Sequence, residues 1–412
     1  MSEALKGNML IGQSGGPTMV INASLVGAIE EALRHPEIGR VYGAVNGMEG
    51  ILAENLLDLT HEDRSIWEKI KVTPSTALGS CRLKVKDKHL ERVLDVFRAH
   101  AIRYFFYIGG NDSMHTAHQV LQVAEAEGWE MRVMGIPKTI DNDLAEVDHC
   151  PGYGSAARFV ITATKCIDKD NQALHPVQFI EAMGRDTGWI AAASRAARED
   201  PEQDAPHLIY VPERPFDEDC FIEEVKEVYA RLGRVLGVVS EGLRRPDGTQ
   251  VTASTKVDAF GHAQLGGMGQ YLVNLVEERL DLKARWDKLG TMQRSFAYCM
   301  SESDLAESYE VGRLAAWHAT RGVTGKMLTL LREPGDEYLC TFGLTDLENV
   351  AEQTRYLDEK YVCQDRPDID ESFLDYVEPL ALGRRITIGP EFITLARLKC
   401  YPVEKKLPEY KP

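Results

Sequence analysis

Apolar positions along this chain follow two alternating patterns. Short β-prone runs recur at Met9–Gly12, Val41–Val45, Tyr104–Ile108, Val133–Ile136, Val177–Ala182, Leu208–Val211, Val235–Val239 and Lys326–Leu331, each read as a buried strand. Between them the spacing turns helical. Ile21, Leu25, Ile29 and Leu33 repeat every four residues, which predicts a helix with one buried stripe closing near His35–Pro36. Further helices are expected over Leu90–Phe97, from Met114 to Glu127, from the PGYGSAARF turn (Pro151–Phe159) to about Lys169, over Val273–Leu280 and over Ser301–Ala316. From about Leu344 the pattern reads as alternating polar helix and loop. Strands alternating with helices imply a parallel βαβ architecture.

Chemistry collects where those strands end. In Arg132–Asp143 (RVMGIPKTIDND) an apolar strand empties into Lys138, Thr139, Ile140, Asp141, Asn142 and Asp143. Open α/β sheets bind ligands outside such carboxyl ends. One ammonium and three carboxylate or amide groups there offer acid–base and anion-binding chemistry, although a solvated turn is equally rich in Asp and Asn. The QSGGPT loop after the first strand has glycines that bring backbone N–H groups near a phosphate, or that serve an ordinary tight turn. Thr73–Lys84 reads as a surface loop or as a flexible loop carrying Arg82 to a phosphate. In Gly109–Ser113 (GGNDS), Asn111 and Asp112 suit Mg²⁺ as oxygen ligands or, alternatively, cap the following helix.

Composition narrows the class. At 412 residues, two domains are expected, and 44% apolar with 27% charged residues describes a soluble globular chain. The start of the sequence has no signal-peptide pattern and no apolar run is membrane-length, so a cytoplasmic location is the expectation. A net charge of −17 argues against nucleic acid or an anionic membrane as partner. It also makes clustered Arg and Lys informative. The eight cysteines are scattered without a CxxC pair, as reduced thiols are.

Taken in order, the junctions SGG, LGSCR, GGNDS, PKTIDND, MGRDTGW, SEGL and GTMQR resemble the phosphofructokinase family, specifically its pyrophosphate-dependent branch. The resemblance spans Ile11 to Arg294. It implies two doubly wound, Rossmann-like α/β domains with the active site in the cleft between them. Residues 1–148 plus about 292–343 are expected to hold the phosphoryl donor, and 149–291 plus about 344–412 the sugar phosphate. It implies Mg²⁺-dependent, reversible phosphoryl transfer from pyrophosphate to fructose 6-phosphate, and a homodimer or homotetramer.

Carried over residue by residue, Gly15 resembles the backbone contact to the donor and Arg82 its phosphate arginine. Asn111 and Asp112 stand where ATP-using relatives have a metal-binding aspartate and a glycine, and Lys138 also stands at a glycine position. Asp112 and Lys138 are thus the branch marker. Thr139, Ile140 and Asp141 match the stretch that meets the sugar, with Asp141 as general base. Met183, Gly184 and Arg185 match the sugar-phosphate motif, Glu241 its partner, and Arg294 the arginine that grips the sugar phosphate or the transferring phosphoryl. Thr291 stands where relatives have histidine or tyrosine. His175–Pro176 replaces a cross-subunit arginine, for which Arg285 is the substitute. Gly261–Gly267 (GHAQLGG) resembles a separate Gly-rich element of the branch.

Structural alternatives stand beside two of these residues: an ion pair with Asp186 for Arg185, and helix capping for Glu241. Competing functions are an ATP-dependent enzyme of the same fold, a non-catalytic sugar-phosphate-binding subunit, and a longer acceptor such as sedoheptulose 7-phosphate.

Overall fold

The structure is a computed structural model that describes residues 5–174, 176–252, 267–335, 337–351, 353–383 and 395–411. His175 and most of the GHAQLGG segment lie outside the described residues. Eleven strands are found among the described residues: β1 (Gly7–Gln13), β2 (Ile38–Ala44), β3 (Leu56–Asp58), β4 (Ile102–Gly109), β5 (Arg132–Pro137), β6 (Val177–Ala182), β7 (Leu208–Tyr210), β8 (Val235–Ser240), β9 (Ala284–Lys288), β10 (Lys326–Arg332) and β11 (Cys340–Asp346). They form a seven-stranded sheet, β11-β10-β5-β4-β1-β2-β3, and a four-stranded sheet, β7-β8-β6-β9. The smaller sheet is parallel throughout, whereas the larger has an antiparallel strand at each edge.

Alternation along each strand feeds opposite faces. Leu10 of β1 joins one apolar cluster, and Met9 and Ile11 join another on the far side of the sheet. In β6, Ile180 and Ala182 face one cluster while Val177 and Phe179 face the second. Parallel strands covered on both faces read as continuous apolar runs, which is why these strands stand out in the sequence.

The helix Ile21–Ala32 departs from the expected single stripe, because all its residues except Glu30 are buried. Its second face meets the helix Glu302–Thr320 at two glycines. A Cβ on Gly27 would lie 2.1 Å from the Tyr309 carbonyl oxygen, and one on Gly312 would lie 2.0 Å from that of Ser24. The backbones touch where neither residue has a side chain.

The C-terminal region also differs from expectation. β11 belongs to the larger sheet. Helix Phe373–Ala381 packs into the core of the smaller one, but Val403, Leu407 and Tyr410 pack back against the larger, where Pro402 pairs with Leu57. Residues 402–410 therefore pack on the larger sheet. No helix among the described residues is long and apolar enough to cross a membrane.

Alanine is favoured over glycine in a helix by about 1 kcal/mol. Gly312→Ala is nevertheless expected to destabilise the protein by about 3 kcal/mol in urea unfolding, the upper range of overpacking. A neutral or stabilised variant would contradict the close crossing.

Candidate active site

Strand ends from the two sheets face each other across one cleft. β1 runs out into Gly15–Pro17, β4 into Gly110–Ser113 and β5 into Lys138–Asp143; opposite them β6 leads to Met183 and Arg185–Thr187, and β8 to Glu241. Arg82, Arg294 and Thr354 complete the lining of a cavity of about 490 Å³. The strand order reverses at β1 and β4, the switch point where such sheets bind ligands.

Lys138 sits at the floor. It is 3% exposed, and its Nζ donates to the Gly16 carbonyl at 2.8 Å. Burial pulls its ammonium down to about 8, opposed by the charges of Asp141 and Asp143 and assisted by Arg294 and Arg82. Burial pushes the Asp141 carboxyl up to about 7, with Asp143 and Glu241 adding to the effect while Arg294 and Lys138 oppose it. Near that value a carboxylate is substantially ionised at neutral pH yet unusually basic. Burial raises Asp143 as well, against the Thr139 hydroxyl, and raises Glu241 against the charge of Lys288.

Glycines let the cations in. Gly15 has φ +76°, and a Cβ there would stand 3.1 Å from Lys138 Nζ; a Cβ on Gly16 would stand 2.7 Å from Arg294 Nη1. Gly184 does not line the cleft but shapes it. Its φ is +136°, its carbonyl accepts the Ser240 hydroxyl at 2.6 Å, and a Cβ would stand 2.5 Å from the Thr187 carbonyl oxygen.

Asn142 anchors the acidic loop from below. It is fully buried with φ 59°; its Nδ2 donates to the Tyr376 hydroxyl at 2.7 Å and its Oδ1 accepts the Cys150 amide at 2.9 Å. Arg355 clamps the loop's carbonyls, its Nη2 on Asn142 at 2.6 Å and its N–H on Asp143 at 2.8 Å. Asp141 and Asp143 flank the anchored residue and line the cavity.

The cleft brings together most of the residues singled out in the sequence: Gly15, Arg82, Asn111, Asp112, Lys138, Thr139, Ile140, Asp141, Met183, Arg185, Glu241 and Arg294. Thr291 and Arg285 do not line it. Arg285 lies on β9 and pairs with Asp170 at 3.6 Å, and Thr291 precedes the short turn of helix that carries Arg294.

Several local readings change. Gly15 cannot be read as a free backbone donor, since its amide donates to the Cys81 carbonyl at 3.1 Å and its carbonyl accepts the Ser80 hydroxyl at 2.6 Å. The Thr73–Lys84 loop is stitched down by buried amides. Asn22 donates to Thr73 and accepts from Ala77, while Gln13 accepts from Leu78. Asn111 and Asp112 lie in the first turn of helix Asn111–Ala126, whose N-cap Gly110 makes no side-chain cap bond. The Asn111 amide donates to the Gln353 carbonyl at 2.7 Å, leaving its Oδ1 buried without a partner among the described residues. Asp186 pairs with Arg244 at 2.6 Å. Glu241 opens a turn rather than a helix, so the capping alternative falls.

Sequence reasoning missed Gln293. It is fully buried, and its Oε1 accepts the Met183 amide at 3.0 Å, joining the GTMQR and MGR motifs. Its only signal was its place inside GTMQR. It also missed Thr187 and Thr354 in the lining, and the clamp residue Arg355, which stands more than 200 residues from its loop.

The phosphofructokinase family model matches residues 8–313. A pyrophosphate–fructose 6-phosphate 1-phosphotransferase of Rhodospirillum rubrum is 43% identical over 387 residues, covering 92% of this chain and 95% of its own length. One from Halomonas elongata is 38% identical over 98% of this chain and 99% of its own. The chain is also similar to a crystal structure of a pyrophosphate-dependent phosphofructokinase from Marinobacter aquaeolei. The TM-score is 0.89 at 35% identity, over 98% of this chain and 100% of that one.

Asp141 binds its proton more tightly folded than unfolded, where its value is near 3.8. Its contribution to stability is therefore favourable below about pH 4 and is lost as pH rises through about 7. Asp141→Asn removes that loss. Its stability gain over the parent is expected to grow between pH 4 and pH 7 and to level off above, measured by urea unfolding across pH. A gain independent of pH would contradict the raised value.

Proposed function

This chain belongs to the phosphofructokinase family, and on that premise we propose that it transfers a phosphoryl group from pyrophosphate to the C1 hydroxyl of fructose 6-phosphate. The products are fructose 1,6-bisphosphate and phosphate. The observation that carries this reading is the buried Lys138 ammonium. It hydrogen-bonds the donor-loop carbonyl of Gly16 three residues before Asp141, in a cleft that Asp112 also lines. Those two charged side chains fill positions where a nucleotide's α-phosphate needs room, and they suit a bare inorganic anion.

The residues then divide the work. The C1 oxygen attacks the terminal phosphorus of pyrophosphate, the bridging P–O bond breaks, and phosphate leaves with the electron pair. Asp141 takes the hydroxyl proton, help worth about 10²–10⁴ in rate. In the reverse direction the protonated Asp141 returns it. Lys138, Arg82 and Arg294 hold the charge of the donor and of the transferring group, which needs positioning more than covalent assistance. Arg185 grips the sugar phosphate, for which a guanidinium fork is the better shape. Met183, Gly184, Thr139 and Ile140 shape the sugar end, and Glu241 accepts from its hydroxyls.

The cleft fits a hard divalent cation. Asp112, Asp141 and Asp143 offer carboxylates, and the partnerless Oδ1 of Asn111 is a further oxygen donor. We assign Mg²⁺ to Asn111 and Asp112, where it would neutralise diphosphate charge when bound. A cytoplasmic homodimer or homotetramer completes the reading, with Arg285, outside this subunit's cleft, reaching a neighbouring one.

A coupled assay for fructose 1,6-bisphosphate with pyrophosphate, ATP and no donor in parallel tests the donor. Product is expected with pyrophosphate alone, and turnover on ATP alone would overturn the assignment. Asp141→Ser is expected to lower kcat by about 10²–10⁴ while KM changes by less than about threefold. Equal losses in both would remove Asp141 as the base. Because the base must be ionised, parental kcat in this direction is expected to fall as pH drops below about 7.

A further inference from the structure

Behind the cleft, three side chains that could each ligate a metal converge outside the machinery described above. His149, Glu307 and Cys340 come from the loop after the acidic stretch, the helix Glu302–Thr320 and β11. One ligand atom of each lies within 4.8 Å of the other two. His149 is 3% and Glu307 9% exposed, while Cys340 is half-buried at the sheet edge. His149 Nε2 is 2.8 Å from Glu307 Oε2.

The surroundings match a metal site's supporting groups. His149 Nδ1 contacts Asp148 at 2.9 Å, the carboxylate–imidazole pairing that fixes the ring and leaves Nε2 toward the other ligands. Asp148 is in turn 3.4 Å from Arg332 Nε. The Tyr338 hydroxyl donates to Glu307 Oε1 at 2.5 Å, leaving Oε2 on the side of the imidazole. Imidazole, carboxylate and thiolate together select a borderline-soft ion over Mg²⁺ or Ca²⁺.

We infer that His149, Glu307 and Cys340 form a binding site for a zinc-class divalent ion, with the fourth position open to water. The ion joins the loop after the acidic stretch, the helix Glu302–Thr320 and β11. One of them leads directly to the catalytic loop, because the Tyr376 hydroxyl bonds both the Asp148 carbonyl at 2.7 Å and Asn142. The site stands independently of the reaction proposed above.

The test is titration of chelator-stripped, reduced full-length protein with Co²⁺, followed by absorbance. One Co²⁺ per chain with a thiolate charge-transfer band is expected, and Cys340→Ser should abolish that band with an unchanged circular dichroism spectrum. Absence of the band in the parent, or its survival in Cys340→Ser, would overturn the site. If Cys340→Ser does not fold, Glu307→Gln replaces it and should weaken Co²⁺ binding at least about tenfold; unchanged affinity would overturn the site equally.

Discussion

A buried ammonium beside a partly buried carboxylate is the constraint around which the cleft is arranged. Each charge alone would cost several kcal/mol to remove from water. Lys138 and Asp141 offset part of that for one another, but not all of it. The ammonium has dropped to about 8 and the carboxyl has risen to about 7, so burial outweighs their attraction at both ends. At neutral pH Lys138 is still mostly the cation and Asp141 is partly ionised. A polyanion entering the cleft stabilises Lys138 as the cation, and Asp141 is already basic enough to take a proton at neutral pH.

Holding such a pair requires a scaffold that does not yield, and the backbone supplies it through close approach. The Gly27–Gly312 crossing fixes the helix behind β1, and Gly15 and Gly16 then let Lys138 and Arg294 reach the turn. On the sugar side, Gly184 and Gly242 do the same work. A Cβ on Gly242 would stand 1.8 Å from the Arg185 carbonyl oxygen, so the two loops can meet only where that side chain is missing. Gln293 and Arg355 then bond main-chain groups of loops from other parts of the chain. Positioning of this kind, rather than extra charge, is what phosphoryl transfer needs most.

How much of this was legible follows from what leaves a local signal. The central strands β1, β4, β5, β6 and β8 are buried on both faces and spell themselves as apolar runs. β9, sequence ARWDK, is an edge strand whose Trp286 packs over Gly269, and nothing in five mixed residues marks it as a strand. β3 has three residues, and β11 pairs in a hairpin at the opposite edge, so the two escape notice for the same reason. In the site, Asp141 and Lys138 were legible because chemistry concentrates at strand ends, and Arg294, on its short turn of helix, through the GTMQR motif. The Asn142 anchor and the Arg355 clamp were not, because their partners are fixed only by the tertiary fold. The single-stripe reading of Ile21–Ala32 failed similarly. Spacing shows which face must be buried, but not that a second helix will cover the other.

The overall charge of −17 sharpens the functional argument. A strongly acidic protein repels a pyrophosphate polyanion and a sugar-phosphate dianion at long range. At physiological ionic strength, however, that repulsion is screened beyond roughly 8 Å. Within the cleft the local set is Arg82, Lys138, Arg185 and Arg294, in a cavity where low dielectric strengthens each contact. The same low dielectric amplifies Asp112, Asp141, Asp143, Asp186 and Glu241, which line the same walls. Four formal positive and five formal negative groups leave no positive surplus to bind two phosphorylated substrates at once. A divalent cation shared between the acidic wall and the diphosphate resolves that imbalance, which is why the acidity of the cleft speaks for the metal as strongly as its lysine speaks for the inorganic donor.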